Sequence, residues 1–154
     1  MNRIDLRDDV VRDKSRVFTY AFGQFYTEMC RKIAITFHGD IDAFFILFAI
    51  ANNSVAAVMK DPIKAHLYRN MHTPIADEFR CIKLLPLSEV TGLPRTTVRR
   101  KVQKLEQLGY IEHVGTEGYR VVKGKMVECP VIHDILETQL DLVSRFFNFV
   151  MATK

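Results

Sequence analysis

Residues 87 to 111 read Leu87-Ser88-Glu89-Val90-Thr91-Gly92-Leu93-Pro94-Arg95-Thr96-Thr97-Val98-Arg99-Arg100-Lys101-Val102-Gln103-Lys104-Leu105-Glu106-Gln107-Leu108-Gly109-Tyr110-Ile111. Pro86 and Gly92 bracket a short segment, residues 87 to 91, and Pro94 opens a helix that runs to Leu108 with Gly109 as its stop. A helix-turn-helix needs a short first helix, a tight turn that tolerates positive φ, and a second helix packed by one apolar face. Gly92 supplies the turn, and Leu93 packs beneath it. Val98, Val102, Leu105 and Leu108 fall at spacings of four, three and three, which makes one stripe for a core. With Val98 at zero on a wheel of about 100° per residue, Thr96, Arg100 and Gln103 lie opposite, flanked by Thr97, Arg99 and Lys104.

That outward face carries donors suited to base edges and phosphates. A run of Arg and Lys more often just solvates a surface helix, but acids at helical spacing usually accompany it. Here residues 95 to 105 hold five basic residues and no acid, and the first acid is Glu106. Tyr110 to Val114 and Tyr119 to Val122 read as two strands joined by Gly115-Thr116-Glu117-Gly118. Between residues 84 and 125 there are eight basic residues and four acidic ones. The chain totals are 22 and 18, so 14 of each remain elsewhere and all the net charge of +4 belongs to this stretch. Such a concentration is expected of a surface that meets a polyanion.

Residues 87 to 111 resemble the winged helix-turn-helix of bacterial regulators, and the wording Thr91-Gly92-Leu93-Pro94-Arg95-Thr96-Thr97-Val98 is most similar to the IclR-type reading head. Chain length and flanking helices resemble instead the MarR type, whose dimers join through their terminal helices. The resemblance implies a recognition helix in the major groove of double-stranded DNA, carried by Arg95, Thr96, Thr97, Arg99, Arg100 and Gln103, with Lys104 beside them. It also implies a wing that touches backbone or minor groove through some of His113, Arg120, Lys123 and Lys125. The four-residue wing turn has no arginine at its tip, which argues against deep minor-groove contact.

Outward from the motif, apolar residues at helical spacing from Val10 through Val17, Phe18, Ala21, Phe22, Phe25, Met29 and Ile33 to Phe37 predict a helix over residues 9 to 37. His38-Gly39 ends it, and Asp40 is a good N-cap for a second helix over 41 to 59, apolar almost all round and so buried. Asp61-Pro62 and Thr73-Pro74 each predict a short helix, and a last helix spans about 131 to 151. Its band of Ile132, Ile135, Leu136, Leu140, Val143, Phe146, Phe147 and Val150 is wider than one intrachain face needs. The expected fold is therefore mainly α with a small β-hairpin wing, flanked by N- and C-terminal dimerisation helices. Its parts are a helical region over 1–60 for dimerisation and core, the DNA-binding winged helix-turn-helix over 61–125, and a dimerisation helix over 126–154.

At 154 residues and 48% apolar composition the chain suits one domain with helical extensions. The charged first residues lack a secretory core, and the longest apolar run, 43 to 51, is far short of the roughly 20 residues of a membrane span. Three scattered cysteines, Cys30, Cys81 and Cys129, fit a reducing cytoplasm, and only Cys30, beside Arg31 and Lys32, has basic neighbours that would favour a thiolate. No His or Cys spacing completes a metal site, and no nucleophile elbow, P-loop or dinucleotide fingerprint supports an enzyme. No cofactor is expected. The phenylalanines of residues 18–48 and 146–149 admit a pocket for an aromatic or lipid-like small-molecule effector, yet core plus subunit interface is the favoured reading. The expected function is a sequence-specific, double-stranded-DNA-binding transcriptional regulator, cytoplasmic and homodimeric, acting at a palindromic operator. The alternative is a winged-helix module that binds protein or RNA.

Overall fold

His38 and Gly39 both adopt positive φ, 51° and 82°, and so turn the chain between its first two long helices. The structure is a computed structural model that describes residues 12–70 and 79–152. Helix α1, Ser15–Thr36, closes when the Gly39 N–H reaches back to the Ala34 carbonyl at 2.8 Å. The predicted start at residues 9 to 11 lies outside the described residues. Asp40 caps α2, Ile41–Lys60, by accepting the Ala43 N–H at 3.1 Å. Asp61 in turn caps the short α3, Pro62–Leu67, from the Ile63 and Lys64 N–H groups. The helix expected after Thr73-Pro74 also lies outside the described residues.

The reading head follows as α4, Leu84–Thr91, and α5, Arg95–Gln107. Helix α4 starts three residues earlier than predicted, because Pro86 sits in its first turn, where an N–H has no helical partner to lose. Strands β1, Ile111–Val114, and β2, Gly118–Val121, pair antiparallel with Glu112 opposite Arg120 and His113 opposite Tyr119. A single turn, α6, Lys125–Glu128, was not foreseen, and α7, Pro130–Ala152, completes the fold. The result is mostly helical, with a two-stranded hairpin after the helix pair, as a winged helix requires.

The core forms around α2. Its Ala43, Ile46, Leu47 and Ile50 pack with Leu87 of α4, Val98, Val102 and Leu105 of α5, Ile111 and Val121 of the hairpin, and Ile132 of α7. By length and composition α2 could cross a membrane; here Ala43, Ile46, Leu47 and Ile50 are buried in this core, while Phe45 and Met59 remain exposed. The one buried polar side chain among the core residues, Ser54, bonds the Ile50 carbonyl at 2.8 Å and receives the Val121 N–H at 3.4 Å. That N–H points away from β1, since antiparallel ladders alternate, so the serine supplies the partner the hairpin cannot.

On the same edge of the hairpin, Ile82 exchanges both backbone bonds with Tyr119, at 2.8 and 2.9 Å. Gly118 permits this approach: its φ is 116°, and a Cβ there would lie 2.4 Å from the Ile82 carbonyl oxygen. The first and last long helices lie against each other in one chain. Phe18 meets Phe146 at 6.4 Å, Arg145 holds Glu28 at 2.7 Å, and Lys32 pairs with Asp134. Phe44 of α2 joins this second layer, in a cluster with Ile33 and Ile135.

Candidate nucleic-acid interface

Gly92 takes φ 68° and ψ 8°, the left-handed conformation that ends α4 and reverses the chain into α5. The Ser88 hydroxyl braces the turn by donating to the Leu93 carbonyl at 2.6 Å, and Leu93 packs against the core below. With Val98, Val102 and Leu105 inside, the opposite side of α5 is fixed outward: Arg95, Thr96, Arg99, Arg100 and Gln103 are exposed, and Thr97 is half-buried. Leu108 does not extend the buried stripe as the wheel predicted. It is the C-cap beyond the last helical turn and is 54% exposed.

The cations of the segment divide into two kinds. Arg95, Arg99 and Arg100 have no acidic partner among the described residues, so their guanidinium groups remain available to an anion. Lys104 instead reaches Asp40 Oδ2 at 3.2 Å, beside Lys101 on Oδ1 of the same carboxylate. Burial pushes the Asp40 carboxyl up, but hydrogen bonds from Lys101, the Ala43 amide and Lys104 outweigh it and hold its pKa below the ordinary value. This second role leaves no local mark in the sequence, because Asp40 pairs across 61 and 64 positions.

On the wing, Arg120 is bound to Glu112 at 2.7 Å across the two strands. It serves the hairpin as a strut. Lys125 lies over the Tyr110 ring at 5.8 Å, Lys123 is exposed, and His113 stacks at 4.7 Å on Tyr119. These three project from the hairpin and the turn after it. Cys129 has thiolate-favouring neighbours. Burial pushes its thiol up, but the Ile132 and Val131 N–H groups, the Tyr110 hydroxyl and the Lys125 charge prevail and lower it. These partners of Cys129 come together only in the fold, so its neighbours along the chain do not announce them. Among the described residues no three His, Cys, Asp or Glu side chains are grouped to hold a metal.

A glycine-turned helix pair, an arginine-bearing outward face and a β-hairpin wing define a winged helix-turn-helix of the DNA-binding class. Residues 77–115 match the IclR helix-turn-helix domain, which marks the chain as a DNA-binding transcriptional regulator. No curated protein and no solved structure matches it.

Proposed function

We propose that this protein binds a palindromic site in double-stranded DNA as a homodimer, each protomer laying α5 in the major groove. The observation that carries the reading is the outward face of α5, where Arg95, Thr96, Arg99, Arg100 and Gln103 are exposed and the three arginines have no acid among the described residues to answer them. Arginine and glutamine at such positions pair with guanine and adenine edges, and the threonines suit phosphates or a thymine methyl. Lys123 and Lys125, beyond the hairpin, are the wing's candidates for backbone contact. Lys104, held by Asp40, and Arg120, held by Glu112, are secondary.

Dimerisation through the terminal helices is supported by what α1 and α7 leave outside after packing together. Tyr20, Phe22 and Tyr26 of α1, with Leu140, Phe147 and Phe149 of α7, are all exposed large apolar side chains. Phe22 stacks on Tyr26 at 6.2 Å within α1, and Tyr20 meets Phe149 at 5.6 Å across the helix pair, so the two helices together still present an apolar surface. A second copy related by a two-fold axis would cover it and place two recognition helices about 34 Å apart, one turn of DNA.

Selection from a library of random duplexes tests the whole reading. Enrichment of an inverted repeat, with half-sites about 10 base pairs apart, is the expected result. Uptake of duplexes without any sequence preference would overturn it in favour of a module that tolerates polyanions.

A further inference from the structure

Five of the cations that the recognition segment offers lie on α5, and phosphates do not discriminate between them. Each free cation near the duplex adds sequence-blind affinity, so a helix that must choose among sites is served by having fewer of them in play. Asp40 answers two of the five. Its position is imposed by the α1–α2 corner, where His38 and Gly39 at positive φ deliver it to the first turn of α2, and both its oxygens are engaged. On the wheel that puts Val98 at zero, Lys101 and Lys104 share one edge of α5, at about −60° and −120°, while Arg95 and Arg99 occupy the other. The acid therefore neutralises a single edge. Asp40 and Lys101 side chains are each only 16% exposed, which limits screening by salt; Lys104 is 58% exposed and is the looser member.

We propose that Asp40 is a specificity-determining residue of the reading head: it withholds Lys101 and Lys104 from DNA phosphates and tethers one edge of α5, leaving base selection to the arginine side. The inference rests on the DNA-binding reading above. It adds a residue outside the matched 77–115 segment whose removal strengthens binding instead of weakening it.

Asp40→Asn is the variant of choice, because asparagine caps a helix as well as aspartate and preserves the Ala43 bond while deleting the charge. Circular dichroism and a thermal melt establish that it is folded. Anisotropy titrations on a random-sequence duplex over a range of salt then read the effect. D40N is expected to bind the random duplex roughly three- to tenfold tighter at low salt, with the log–log salt slope steeper by about one to two units. On the selected site the gain is expected to be smaller, so the ratio of specific to random affinity falls. Adding Lys104→Gln to D40N should remove about half of the gain or more, and Asp40→Glu, which keeps the charge, should restore the wild-type slope. A folded D40N with an unchanged slope overturns the inference and leaves the DNA-binding reading standing. A wild-type protein that binds no duplex at low salt overturns both.

Discussion

Arg100 lies near the centre of the outward face of α5, one turn from Thr96 and Gln103, with no acid among the described residues to hold it. In the proposed major-groove docking, a side chain so placed would read bases and not phosphates alone. Arg100→Ala is expected to cost about 1–3 kcal/mol on the selected site and little on a random duplex. Equal losses on the two in parallel titrations would reassign it to a phosphate. Asp40 makes a different kind of prediction, on stability. Its pKa is lowered in the folded chain, so its ion pairs stabilise the fold fully above the ordinary aspartate pKa and are lost as pH falls through the lowered one. In urea titrations the stability advantage of the wild type over D40N should therefore be largest near neutrality and shrink steadily below the ordinary aspartate range. A difference that grows with acid would show that the carboxylate is not the species that matters.

Among the elements, the hairpin shows how closely the segment before α4 is bound to the wing. Replacing Gly118 by alanine adds a methyl group 2.4 Å from a backbone oxygen, at a φ of 116° that side chains rarely adopt. A loss of about 2 kcal/mol or more is expected. Chemical denaturation measures it, and a variant as stable as wild type would mean that the Ile82–Tyr119 bridge is dispensable. Helix α5 and its turn were legible in the sequence, because a period near 3.6 and a glycine at the reversal are local signals. The capping roles of Asp40 and Asp61 were legible for the same reason. The start of α4 was not, since a proline looks alike whether it precedes a helix or sits in its first turn. Nor was the position of Ile82, a one-residue bridge with no alternating pattern to reveal it. At the site, the outward arginines could be read from a wheel, whereas the acids that occupy Lys104 and Arg120 come from the far end of α2's entry turn and from the facing strand. Pairings of this sort are set by tertiary distance, which spacing along a chain does not encode.

For the whole molecule, the band on α7 divides into two sides. Ile132, Ile135 and Val150 are buried in the protomer, while Leu140 and Phe147 face outward. Phe146 touches Phe18 of its own chain, so a charge there would disturb the fold, and Phe147, 46% exposed, is the cleaner probe. Phe147→Asp is expected to give a folded monomer by light scattering and circular dichroism, with binding to the palindrome reduced to that of a half-site. A variant that keeps the wild-type mass would remove this face from the interface. The sharing of α2 has a further consequence. Ala43, Ile46, Leu47 and Ile50 line the floor on which Val98, Val102 and Leu105 rest, yet all four lie upstream of the stretch that matches a known domain. A fragment beginning at residue 77 would carry the motif and leave its floor behind. Expressed alone it should lack a cooperative thermal transition, whereas a fragment that also carries residues 38 to 70 should regain one. Anyone grafting this reading head onto another protein, or tracing how it was exchanged between genes, has to treat the portable unit as the motif together with a helix that its sequence signature does not include.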